Sequence, residues 1–69
     1  MRKRERILKV IIEMYKKQNR NIRSDEILIA TKFGRGVIRQ ELAILKCMNL
    51  IESRPGPKGG YKPSTTAHR

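Results

Sequence analysis

The side chains best equipped for chemistry in this 69-residue chain are cations and a carboxamide. Val37-Ile38-Arg39-Gln40-Glu41-Leu42-Ala43-Ile44-Leu45-Lys46 sets Arg39 beside Gln40, with Arg35 one helical turn before them and Lys46 two turns after. A guanidinium can grip the O6/N7 edge of guanine through two hydrogen bonds, and a carboxamide can do the same for the N6/N7 edge of adenine. Lys46 and Arg35 suit phosphate better, Arg35 because it lies near a helix N-terminus whose amides favour an anion. A second cluster follows in Arg54-Pro55-Gly56-Pro57-Lys58-Gly59-Gly60-Tyr61-Lys62. Here Arg54, Lys58 and Lys62 surround Gly59 and Gly60, which let backbone come close to a surface. Together these groups could hold a polyanion and read the edges of its bases. The competing use of Arg39 is a phosphate clamp, or an ion pair with Glu41 or another acid.

Little else in the chain could act. Catalysis needs an acid, base or nucleophile held against a partner. Cys47 has no neighbouring base, His68 lies among polar C-terminal residues, and the six Asp and Glu are scattered over helix surfaces. Gly56-Pro57-Lys58-Gly59-Gly60 lacks the Gly-Lys-Ser/Thr ending and following helix of a phosphate loop. No enzyme activity, metal, cofactor or small-molecule ligand is expected. Cys47 could sense oxidation, with only Lys46 to lower its pKa, but a partly buried small residue is the simpler reading.

Seventeen Lys and Arg against six Asp and Glu give a formal charge of +11, which repels the chain from itself and attracts polyanions. Nucleic acid is the leading partner. An anionic membrane competes, because Arg2-Lys3-Arg4-Glu5-Arg6 leads into an amphipathic stretch. No apolar run reaches the ~18 residues of a membrane span, and no signal-peptide pattern is present, so a cytoplasmic protein is expected. Residues 1–23 hold nine bases and two acids, residues 24–52 four of each, and residues 53–69 four bases and no acid. A neutral middle suits a packed centre, and basic ends suit phosphate.

The elements that must position these groups can be read from periodicity. From Arg4 to Lys17 apolar residues cover about 200° of a helix, wider than the ~100° one core requires. Ile7, Ile11 and Met14 are expected to face the core, leaving Leu8, Ile12 and Tyr15 as a face for a second subunit. Burial of the whole arc within one domain is the alternative. Ile22 could pair as a short strand. Ser24 is expected to cap a helix from Asp25 to about Lys32, burying Ile27, Leu28 and Thr31. A third helix is expected from near Gly36 to about Met48. Its buried face is Val37, Ile38, Leu42, Leu45 and Met48, and its open face Arg35, Arg39, Gln40, Ala43, Lys46 and Cys47. Asn49 tolerates a left-handed turn and suits the helix end. Residues 50–53 then read as a strand, Arg54 to Gly60 as a hairpin loop, and Tyr61-Lys62 as the return. Residues 1–63 are expected to form one domain, with 64–69 a mobile tail.

Val37-Ile38-Arg39-Gln40-Glu41-Leu42, with Leu45 and Asn49-Leu50-Ile51-Glu52, resembles the recognition helix and first wing strand in the N-terminal domain of the heat-inducible repressor HrcA. Pro55-Gly56-Pro57-Lys58-Gly59-Gly60-Tyr61-Lys62-Pro63 is still more similar to archaeal predicted regulators that join such a domain to a pair of CBS domains. The resemblance runs from about Glu5 to Pro63, and the wing is its most specific part. The chain departs from those families at Val37, where they place a small polar residue, and at Asn49, where they place glycine. No ligand-sensing function is expected of the residues present.

The resemblance implies a mainly α fold with a small β-hairpin: a winged helix-turn-helix of three helices plus a wing. It also implies a transcriptional regulator of double-stranded DNA, a repressor by analogy. The third helix would read the major groove through Arg35, Arg39, Gln40, Ala43 and Lys46. The wing would touch flanking backbone or minor groove through Arg54, Lys58, Gly59, Gly60 and Lys62. A core this small rarely supplies more than ~3–5 kcal/mol, and one Cys with one His offers neither a disulfide nor a metal site. A homodimer is therefore expected. Two other classes stay open: a winged helix serving protein or RNA association, with Ile12 and Ile44 as candidate contacts, and a nonspecific architectural DNA binder.

Overall fold

The computed structural model describes residues 2–64, which form three helices and one antiparallel hairpin in the order α1 Lys3–Gln18, α2 Ser24–Thr31, α3 Arg35–Cys47, β1 Ile51–Arg54 and β2 Gly60–Pro63. The expected fold class is the one observed. Of the tail expected at 64–69, Ser64 is buried against the domain, and the rest, with His68, lies outside the described residues.

In α1, Ile7 and Ile11 are fully buried while Leu8 and Met14 pack against the core from its margins. Lys16 and Lys17 occupy the last turn, where cations suit the negative end of the helix dipole. Asn19 then turns left-handed at φ 52° and its N–H donates to the Tyr15 carbonyl at 2.8 Å, ending the helix.

The cap of α2 falls one residue earlier than expected. Ser24 is already helical, and Arg23 is the extended residue before it, at φ −82° and ψ 153°. An arginine side chain has no acceptor for the open helix amides. Instead, the Glu26 carboxylate turns back to accept the Arg23 N–H at 2.8 Å. At the other end, buried Thr31 donates its hydroxyl to the Ile27 carbonyl at 2.8 Å and accepts the Phe33 N–H at 3.3 Å. Among the described residues no buried side-chain nitrogen or oxygen lacks a hydrogen-bond partner; one that did would cost about 1–3 kcal/mol.

Helix α3 starts at Arg35, after Gly34, and buries Ile38, Leu42 and Leu45. Met48, expected on that face, is 52% exposed because it stands past the last helical residue. The helix closes through two bonds, Asn49 N–H to the Lys46 carbonyl and Leu50 N–H to the Leu45 carbonyl, both 3.0 Å. This is a Schellman turn, with Asn49 left-handed at φ 60° in the place where glycine is commonest.

The strands pair Ile51 with Pro63 and Arg54 with Gly60, each strand lying within one residue of its expected limits. Ile22 adds a one-residue third strand. It exchanges two backbone hydrogen bonds with Tyr61, each 2.7 Å, and so fastens the α1–α2 connection to β2. Ser64 is buried, and its N–H donates to the Leu50 carbonyl at 3.0 Å.

Ile7, Ile11, Ile22, Ile27, Ile38, Leu42, Leu45 and Ile51 form the core. Every element contributes to it except β2, whose Tyr61 packs on its edge. Each fully buried aliphatic side chain contributes about 1.5–3 kcal/mol, so losing one removes a large part of the stability of so small a domain. Among the described residues, no helix is long and apolar enough to cross a membrane.

Candidate nucleic-acid interface

Because α3 spends Ile38, Leu42 and Leu45 on the core, its opposite side is left to solvent. Arg35, Arg39, Gln40, Ala43 and Lys46 are all exposed there. At 100° per residue they span about 140° of the helix. The open face expected from the sequence therefore exists as one surface. Cys47 lies on it and is exposed, which corrects the expectation of partial burial; the helix ends at this residue and nothing packs over it.

Four of the six acids are in ion pairs, and of these only Asp25 meets a cation of the α3 face. Glu41 accepts the Arg4 Nε–H at 2.8 Å, a link between the start of α1 and the middle of α3. Glu26 binds Arg20, Glu52 faces Lys62 across the hairpin at 3.8 Å, and Asp25 meets Arg35 at 3.3 Å. Glu41 is thus unavailable to Arg39, which removes the ion pair considered from the sequence. Among the described residues, the charged ends of Arg39, Lys46, Arg54 and Lys58 have no ion-pair partner. The Arg35–Asp25 pair is 80% and 68% exposed, and such surface pairs contribute about 0–1 kcal/mol. A phosphate could displace it easily. Lys62 is the least available of the expected wing contacts, being held towards Glu52 and only 22% exposed.

Gly59 and Gly60 do structural work. A Cβ on Gly59 would stand 2.1 Å from the Arg54 carbonyl oxygen, so the loop can close only with hydrogen there. Gly60 sits at φ 142°, and a Cβ on it would stand 2.6 Å from the Ile22 carbonyl oxygen. Close backbone approach was expected at these positions, and what is approached is the chain itself: the start of the wing loop at Gly59 and the α1–α2 connection at Gly60.

Between α2, α3 and β2 runs a groove of about 220 Å³, lined by Ser24, Asp25, Arg35, Arg39 and Tyr61 among others. Arg35 and Arg39 of the open face of α3 thus line one groove with Tyr61 of the hairpin.

Sequence reasoning missed the residues that hold the wing. Asn21 Nδ2 donates to the Lys58 carbonyl at 3.3 Å, and the Arg23 guanidinium donates to the Pro57 carbonyl. Both are contacts across more than thirty residues of sequence, invisible to local periodicity. Glu26 is tied to the same corner. Its hydrogen bond from Arg20, followed by that from the Arg23 backbone, holds its carboxyl below the usual glutamate range.

The expected dimer face is less open than its arc implied. Leu8, Ile12 and Tyr15 are half-buried, and Leu8 already packs against the core. The large apolar side chains most exposed among the described residues are Ile29 at 72% and Met48 at 52%; the sequence singled out neither for exposure. Ile29 escaped notice because α2 is only eight residues long, too short for its periodicity to define a face.

Comparison with known proteins agrees with this geometry. The family model of the winged helix-turn-helix transcription repressor HrcA DNA-binding domain matches residues 2–69. An uncharacterized protein of Methanocaldococcus jannaschii is 38% identical over 63 residues, covering 91% of this chain and 21% of that protein. The chain thus spans about a fifth of that relative's length. No solved structure matches. Three helices, a hairpin and a family match over nearly every residue place the chain in the HrcA family of winged helix-turn-helix transcription-repressor DNA-binding domains.

Proposed function

We propose that this DNA-binding domain reads double-stranded DNA sequence-specifically and represses transcription as a homodimer in the cytoplasm. Helix α3 enters the major groove, Arg39 and Gln40 contact base edges, and Ala43 lets the helix approach closely. Lys46 and Arg35 bind phosphates on either side. Arg54 and Lys58 of the wing contact the flanking backbone or minor groove, with Lys62, Gly59 and Gly60 supporting them. Leu8, Ile12 and Tyr15 supply the dimer contact.

The observation that carries this reading is the exposed α3 face: a guanidinium, a carboxamide, a methyl group and an ammonium on one surface, with no acid paired to Arg39 or Lys46. Size is compatible with the dimer. The chain measures 27 × 25 × 21 Å, less than the ~34–36 Å between half-sites one turn apart, so two copies fit on one side of a duplex.

Binding-site selection from random duplex DNA tests the reading. An enriched two-fold sequence with half-sites one turn apart is expected. Enrichment without symmetry would reject the dimer, and no enrichment would reject sequence-specific recognition.

A further inference from the structure

The wing tip has few hydrogen bonds of its own. Strand pairing ends at Arg54 opposite Gly60, and Pro55 and Pro57 carry no backbone donor. Within the loop a single backbone bond, Gly59 N–H to the Gly56 carbonyl at 2.9 Å, closes the turn. A hairpin this sparsely bonded should sweep a range of angles. Two side chains from the α1–α2 connection prevent that: Asn21 Nδ2 binds the Lys58 carbonyl and the Arg23 guanidinium binds the Pro57 carbonyl.

We infer that Asn21 and Arg23 are positioning residues for DNA recognition, which lock the wing at a fixed angle to α3 and so hold Lys58 at its point of contact with the duplex. The contacts sit where leverage is greatest. Backbone pairing of Ile22 with Tyr61 fixes the base of the hairpin, and these two side chains fix its tip. The absence of a Cβ on Gly60 is what allows the connection to lie this close, since Asn21 Cβ would be 3.3 Å from one. Arg23 is itself anchored, because its backbone N–H is held by Glu26, whose carboxylate also binds Arg20. The chain of contacts therefore runs from Arg20 through Glu26 and Arg23 to Pro57. A preformed wing loses less conformational entropy on binding than one that must be ordered by DNA.

This role rests on the DNA-binding reading of the wing, but its structural half can be tested without DNA. The variants are Asn21→Ala, which leaves charge unchanged, and Arg23→Lys, which keeps the charge and loses the planar fork. Backbone ¹⁵N relaxation should show order parameters at Lys58 and Gly59 falling from about 0.85 to below about 0.6, with α3 unchanged. Unaltered values at the tip would overturn the proposal whatever the protein binds.

The second arm measures affinity for a duplex recovered by selection or, if selection enriches nothing, for one random-sequence duplex. Each variant should bind about three- to tenfold more weakly, the loss expected for one hydrogen bond. The losses should largely vanish in a Lys58→Ala background, because the clamp acts through that residue. Losses that persist in full there would show that Arg23 or Asn21 touches DNA directly and is not a positioning residue. Loosened tips with unchanged affinity would reject the wing as a DNA contact while leaving the clamp itself established.

Discussion

Salt should separate the cations that meet phosphate from those that do not, and should also count the subunits. Arg35, Lys46, Arg54 and Lys58 are exposed, while Arg39 is assigned to a base edge. Four phosphate contacts per chain make eight in a dimer, which corresponds to a slope of log K against log salt of about −7.2, and a loss of roughly 20,000-fold between about 50 and 200 mM salt. A single bound chain would lose only about 150-fold over the same range. Lys58→Ala removes one contact per chain, so the slope should fall by about 1.8 for a dimer and about 0.9 for a monomer. Fluorescence anisotropy of a labelled duplex at a series of salt concentrations measures both. A flat response would refute DNA as the partner. A steep response that Lys58→Ala leaves unchanged would refute the placement of the wing on the backbone.

Other substitutions probe single steps of the argument. Arg39→Ala should lose about 1–3 kcal/mol of discrimination at one base pair and, unlike Lys58→Ala, should alter the selected sequence; equal losses on all sequences would make Arg39 a phosphate clamp. Sedimentation equilibrium at tens of micromolar should show self-association, and Ile12→Lys should abolish it and lower the thermal midpoint, because the stabilisation from a second subunit is lost; a monomer in both cases would reject the α1 interface. Glu26 should give the protein an acid-dependent stability. Its carboxyl is held below the usual range by Arg20 and by the Arg23 N–H, so its contribution is complete above the unfolded value of about 4.3. That contribution disappears as pH falls through the lower folded value. The thermal midpoint of the native chain should drop over that window more than that of Glu26→Gln, and parallel curves would contradict the assignment.

Much of this was legible because it depends on local order. Heptad-like spacing of Ile38, Leu42 and Leu45 fixes which side of α3 faces inward, and therefore which side carries Arg39 and Gln40. The glycines and prolines after Arg54 announce the hairpin. What could not be read depends on residues distant in sequence. Arg4 reaches Glu41 across 37 positions, and Asn21 reaches Lys58 across another 37. Ser24 has the right chemistry for a cap, yet Arg23 takes the position, because the Ile22–Tyr61 pairing keeps the chain extended through that point. Met48 was misplaced because a helical projection continues past the residue where the helix stops, whereas Cys47 lies on the open face the projection gave it.

The close fit around the wing also sets how freely this chain can drift. Gly34 and Gly36 face open space, and an alanine at either would meet no neighbouring atom. Gly59 and Gly60 have no such latitude, since any Cβ there would collide with backbone that cannot withdraw. Residues along the exposed side of α3, or Lys58, can therefore be exchanged without disturbing the architecture. The exit of the wing loop is the part that descendants of this sequence must keep.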